Sequence, residues 1–300
     1  DRTRTRGLSA NGPFDGGRWL YRADPEPDDA GRLAAGIGVS GPPLPDPAQN
    51  PSAGSAPASH LDPRLPAQGP TSAVRSVVTE TLKRLGKTCR AVWKETRTGE
   101  RVSARYMDQL QRRMVDVYAV HPEYRQDKSK LCGTGIPSFD QQMRRAGKLE
   151  ARLKAPFSVY IHGDFNVDNV IYDPLEKRIN FIDLHRSDYM DYVQDVSVFM
   201  VSNYRLHVLD RPLRQRIHKV ARDFCAMARR FAHKSGDRTF EIRLALALAR
   251  SFASSTRFIL DTSLADGMFL RARYLLDRGL ETPASRIEHF NTPVKELFSG

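Results

Sequence analysis

The chain has few cysteines: Cys89, Cys132 and Cys225 lie far apart and form no CxxC pair. That argues against a disulfide framework or a zinc cluster and fits three inert thiols in a reducing cytoplasm. Long apolar runs are missing as well. None approaches the roughly 20 residues needed to cross a bilayer, so no membrane partner is expected. The start, Asp1 to Arg6, is charged with no apolar stretch behind it, unlike a secretory signal. It is Asp rather than Met, as in a chain that lacks its true N-terminus.

Lysine is absent before Lys83. Residues 1–70 hold seven Arg and eight acids, a net of −1, so the formal +12 of the 300 residues sits entirely in the remainder. Such an excess suits nucleic acid, a membrane surface or an anionic substrate such as a nucleoside triphosphate. The same seventy residues hold twelve of the nineteen prolines and half of the glycines, with few large apolar side chains. They read as a disordered or linker segment, 1–70, ahead of a globular region, 71–300. Gly36-Ile37-Gly38-Val39-Ser40-Gly41 spells GxGxxG, but it runs into a proline cluster instead of following a strand and opening a helix, so it is not taken as a phosphate loop.

From Thr71 the apolar spacing becomes helical. Ser72 can cap a helix carrying Val74, Val77, Val78, Leu82 and Leu85 on one face. A second helix is expected over 102–119, and Ser138 can cap a third through Phe139, Met143, Ala146, Leu149 and Leu153. The period then shortens. Phe157, Val159 and Ile161 alternate like a half-buried strand. Residues 170–172 and 179–182 read as two more, joined by the turn Asp173-Pro174-Leu175-Glu176-Lys177. Helices are expected again over 192–206, 213–233, 240–260 and 264–276. The fold class is therefore α+β, mostly helical, with a small strand cluster set among the helices.

That cluster carries the chemistry. His162-Gly163-Asp164 ends one strand, Asn169 follows five residues after Asp164, and Phe181-Ile182-Asp183 ends the hairpin. Phosphoryl transfer from ATP needs a carboxylate beside the attacking hydroxyl and oxygen ligands for the Mg²⁺ that neutralises the phosphates. The layout brings Asp164, Asn169 and Asp183 to one edge of a small sheet, with Asp164 as the base and Asn169 and Asp183 as metal ligands. Asx residues in such loops are often only turn formers. Four residue types at fixed spacing followed by Ile-Asp make a stronger pattern.

The pattern resembles the aminoglycoside phosphotransferase and choline kinase-like family, relatives of protein kinases, whose catalytic loop H-G-D-x-x-x-x-N is intact here as His162, Gly163, Asp164 and Asn169. The resemblance implies a protein-kinase-like C-terminal lobe that binds ATP and Mg²⁺. It also implies a structural role for Asp195, which braces the loop, and a packing role for His162. Asn166 stands where Ser/Thr protein kinases carry a lysine, and Leu184-His185 follows the second Asp, both favouring a small-molecule acceptor with a hydroxyl. His185, Arg186 and Asp188, with Ser187 and Asp191, follow the second metal ligand and are candidates for acceptor contact; a solvated loop is the equal alternative.

The family's N-terminal lobe, with its phosphate-covering loop and lysine, is not recognisable. Ala91-Val92-Trp93-Lys94 looks superficially like the lysine-bearing strand, yet the surroundings read as helix, so Lys94 is expected at the surface. Four alternatives stay open: a fragment of a longer chain, a lobe completed by a partner chain, an upstream stretch that is a corrupted translation, or an inactive kinase-like scaffold. Asp261, Asp266 and Glu281 suit a cationic acceptor or simply the surface. The basic stretch Arg211–Lys234 leaves a nucleic-acid-binding protein as a further alternative, disfavoured because no aromatic platform accompanies it.

Overall fold

The computed structural model describes residues 72–125, 129–131 and 134–299. Residues 1–70, with the GxGxxG match and the linker reading, lie outside them, as does Cys132.

The first helix, α1 (Ser72–Glu95), buries Leu85, Cys89 and Trp93 at four-residue spacing, while Val77 and Val78 stay exposed. The buried stripe thus runs along the C-terminal half of α1, toward Trp93, whose ring lies 5.1 Å from Tyr192. Lys94 is helical and exposed, 3.7 Å from Glu95. Helix α2 (Tyr106–Val120) starts later than its apolar spacing implies. The reason is long-range: the buried Glu150 carboxylate accepts from the Tyr106 and Met107 backbone N–H groups at 2.5 and 2.9 Å, fixing the first turn. Val102 instead forms a bridge with Ala155. A short hairpin, β1 (Ser129–Leu131) and β2 (Thr134–Ile136), precedes α3 (Phe139–Glu150), which opens on a capping box between Ser138 and Gln141.

Among the described residues the strands form three separate two-stranded ladders, two of which make up the strand cluster in place of one sheet. β3 (Val159–Ile161) pairs antiparallel with β6 (Asp188–Met190), a strand too short and too polar to show in the sequence pattern. β4 (Val170–Asp173) and β5 (Arg178–Phe181) form the hairpin, in register Val170 to Phe181. Asp173 Oδ1 closes its turn on the Leu175 and Glu176 N–H groups, with Lys177 in the left-handed region at φ 50°.

Helices α4 (Val193–Tyr204), α5 (Arg211–Lys234), α6 (Phe240–Ser255) and α7 (Thr262–Leu280) follow, with a last turn α8 (Val294–Leu297). α6 is buried almost all round, as an apolar helix rich in alanine must be, and α2, α4 and α7 pack on it. It stops at Ser255, short of the apolar run's end. There the chain tightens to a 3-10 turn over Thr256–Phe258, and the His121 ring takes the Thr256 and Ile259 carbonyls at 3.0 Å each. The whole is α+β and mostly helical, the architecture of a kinase-like C-terminal lobe. No helix among the described residues is long and apolar enough to cross a membrane.

Cys89 and Cys225 are buried, unpaired thiols; burial pushes Cys225 up to about 12, so it stays protonated and inert. Within basic α5, four cations are spent inside the molecule. Arg214 donates to the Val208 carbonyl, Lys219 to Asp223, Arg222 to the Phe298 carbonyl, and Arg229 to Glu241.

Candidate active site

The loop after β3 is built around one glycine. Gly163 sits at φ +82°, and a Cβ there would lie 2.0 Å from the Arg186 carbonyl oxygen, so no side chain fits. Its neighbours are pinned from below by Asp195 on α4: the His162 N–H donates to Oδ2 at 2.8 Å and the Gly163 N–H to Oδ1 at 3.0 Å. Burial pushes the Asp195 carboxyl up to about 7, against the pull of those two donors and of Arg250. Gln194 adds a bond to the Gly163 carbonyl at 3.1 Å.

His162 is buried, its ring packed near Phe165 and Phe181. Nε2 donates to the Ile182 carbonyl at 2.9 Å, while Nδ1 accepts from the Asp164 N–H at 3.3 Å. Those partners define the neutral ring, and burial lowers its pKa in the same sense. Both nitrogens are committed, so His162 ties the loop to the hairpin.

Asp164 lies at the lip of a cavity of about 440 Å³. Its Oδ1 accepts from Asn166 Nδ2 at 2.6 Å, and its Oδ2 faces Arg186 at 3.2 Å. Asn169 Nδ2 donates to the Asp164 backbone carbonyl at 2.9 Å, and the Asn169 carbonyl accepts from the Ile182 N–H at 3.2 Å. Asn169 therefore joins the loop that bears Asp164 to the hairpin end that bears Asp183. Asp183 is left-handed at φ 59°, a conformation Asp tolerates better than most residues, and its Oδ1 meets His185 Nδ1.

Asn169 Oδ1 and Asp183 Oδ2 have no hydrogen-bond partner among the described residues. No group of three or more His, Cys, Asp or Glu that could hold a metal by itself occurs among those residues either. Two hard oxygens without a full protein cage suit Mg²⁺ that arrives on phosphate oxygens.

Of the three acceptor-side candidates, only Arg186 lines the cavity. His185 is turned to Asp183, and the exposed Asp188 bonds its own strand at the Tyr189 N–H. Asp191 is buried, in an ion pair with Arg243 and bonded by Tyr106 Oη at 3.0 Å. Asp261 caps α7, and Asp266 accepts from Tyr124 Oη at 2.7 Å; neither they nor Glu281 reach this cavity. The residues missed in the sequence are Arg113, Arg205, Arg250 and Arg257, which also line it. One signal was available for Arg250: a charged residue in an alanine- and leucine-rich helix.

A family model, described as the ecdysteroid kinase-like family, matches residues 66–224. The chain belongs to this family. No curated protein matches it. The ecdysteroid kinase-like family is a kinase-like relative of the choline and aminoglycoside kinases, so the superfamily implied by the loop motif stands and the particular family differs. The physical reason is that the motif serves the phosphate, common to all of these enzymes, and not the acceptor. The chain is thus a kinase-like phosphotransferase of the small-molecule type. The match covers the loop, the hairpin and α4; Arg250 and Arg257 lie beyond it.

Proposed function

We propose that this chain transfers the terminal phosphoryl group of ATP, with Mg²⁺, to a hydroxyl of a small molecule. The observation that carries the reading is Asn169, which bonds both the Asp164 carbonyl and, through its own carbonyl, the backbone beside Asp183, holding base and metal ligands on one frame. The ecdysteroid kinase-like family name supports a hydroxyl-bearing acceptor.

In this reading Asp164, with Oδ1 fixed by Asn166, accepts the hydroxyl proton as the acceptor oxygen bonds to phosphorus and ADP leaves. Arg186 holds Oδ2 and orients the carboxylate. Asn169 Oδ1 and Asp183 would hold the Mg²⁺, which when bound offsets phosphate charge. His162, Gly163 and Asp195 position the loop without touching reactants. Lys94, exposed on α1, takes no part.

Calorimetry of Mg·ATP on the full chain, with Asp183→Asn in parallel, tests this. Metal-dependent binding that weakens at least tenfold in the variant is expected. No binding at millimolar ATP, or equal binding by both proteins, would overturn it.

A further inference from the structure

The cavity beside Asp164 has an unusual wall. It presents five guanidinium groups against the single carboxylate of Asp164, with hydroxyls from Ser202, Ser251, Ser254 and Ser255 between them. Its apolar lining is confined to Val198, Val201 and Phe258. A pocket for a neutral, apolar ligand is built the other way, with a mostly hydrophobic wall and a few polar groups.

Among the described residues only Arg186 of the five is ion-paired, to Asp164. Arg205 reaches the Asn166 side-chain oxygen at 3.3 Å, and Arg257 donates to the Ser254 carbonyl at 2.6 Å while lying over the Phe258 ring. Arg113 has no ion pair among the described residues. Arg250 is the deepest: 3 % exposed, with Nε and Nη2 buried and unpartnered. The Tyr106 ring lies 5.6 Å away, and the carboxylates of Asp164, Glu150 and Asp195 act on Arg250 only from beyond ion-pair distance. Burial and then the charge of Arg113 push Arg250 down to about 10. Burial, together with Arg257 and Arg186, lowers Arg113 in the same sense. A buried guanidinium without a carboxylate costs stability unless something fills its donors. The missing counter-charge is a ligand's.

We propose that this cavity binds an anionic group of the acceptor, a carboxylate, sulfate or phosphate, with Arg250 as its buried anchor and Arg113 and Arg257 as flanking donors. The assignment to the acceptor rests on the phosphotransferase reading above; the anion site itself does not. The cavity takes in Asp164 but neither of the proposed metal ligands, Asn169 and Asp183. An anion held there sets the acceptor hydroxyl against Asp164 and rejects cationic acceptors, since the wall repels them.

Inorganic sulfate is the probe. It is titrated calorimetrically into the full chain at constant ionic strength, alone and with saturating Mg·ATP, and into Arg250→Met, Arg113→Gln and Asp183→Asn. One sulfate is expected per chain, about tenfold or more weaker in Arg250→Met, weaker in Arg113→Gln, and unchanged in Asp183→Asn or by Mg·ATP. If Arg250→Met does not fold, Arg113→Gln carries the test. No sulfate binding, or equal binding by the arginine variants, overturns the site. Loss of sulfate binding on adding Mg·ATP overturns its assignment to the acceptor, because the arginines would then serve the nucleotide. Sulfate binding in a chain that ignores Mg·ATP leaves the anion site standing and sinks the phosphotransferase reading alone.

Discussion

Two arginines lie seven residues apart on α6, on the same face of the most deeply buried helix, and they have opposite surroundings. Arg243 is ion-paired to Asp191 and Asp237 and is as deeply buried as Arg250. Burial alone would lower its pKa, but the two carboxylates hold it above the ordinary arginine range. Tyr192 Oη donates to Asp237 at 2.7 Å and Tyr106 Oη to Asp191, so that end of the helix is a closed polar network. Arg250, two turns on, has no carboxylate within ion-pair distance among the described residues and borders the loop that bears Asp164. A structural charge carries its partner within the chain; a charge awaiting a ligand does not, and the fold bears the cost.

The largest effect should come from breaking the closed end. Arg243→Met leaves Asp191 and Asp237 buried and uncompensated, and should cost about 3–5 kcal/mol in denaturant unfolding. Arg250→Met, at the open end, should leave stability within about 1 kcal/mol of the parent or raise it, because it removes a buried charge that had no partner. Equal losses in the two variants would erase the contrast. Next in size is Gly163→Ala. Its Cβ meets the Arg186 carbonyl and its φ is left-handed, so a cost of about 1–3 kcal/mol is expected. It should fall together with a sharp drop in Mg·ATP-dependent activity as the loop shifts.

Asp195 gives a smaller, pH-dependent effect. Its folded pKa, pushed up to about 7, lies above the ordinary carboxylate value of 3.8, so the folded chain keeps a proton that the unfolded chain has released. The contribution to stability is full below the unfolded pKa and is lost as pH rises through about 4 to about 7. Asp195→Asn should remove that slope in urea unfolding measured across the window, and a parallel pH profile in both proteins would refute the assignment. The smallest effect belongs to Lys94→Ala, which should change neither the melting temperature nor Mg·ATP affinity. A loss of ATP binding there would show that α1 supplies the phosphate-pairing lysine.

The contrast between the two arginines also shows what a sequence can reveal. His162, Gly163, Asp164, Asn169 and Asp183 lie within 22 residues, and their chemistry follows from local spacing on a strand, a loop and a hairpin. The helices were legible in the same way, since apolar residues at helical spacing need no knowledge of their partners. Arg113, Arg205, Arg250 and Arg257 come from separate helices or their ends and meet only through packing, so no spacing announces them. Of the acidic residues considered for a cationic acceptor, Asp261 serves a helix cap and Asp266 a tyrosine hydroxyl. β6 was hidden because Asp188-Tyr189-Met190 has no apolar alternation and is a strand only through its pairing with β3. The late start of α2 depends on Glu150, forty-four residues beyond Tyr106.

The central claim is that Asp164 activates a hydroxyl on an anionic acceptor. It is tested most directly by following the labelled terminal phosphoryl group of ATP into matched pairs of hydroxylated compounds. The members of each pair differ only in a carboxylate, sulfate or phosphate, and Asp164→Asn is run alongside the parent chain. Transfer to the anionic members, falling by about 10²–10⁴ in Asp164→Asn, is the predicted result. Transfer that favours the neutral members, or that survives in Asp164→Asn, would contradict it.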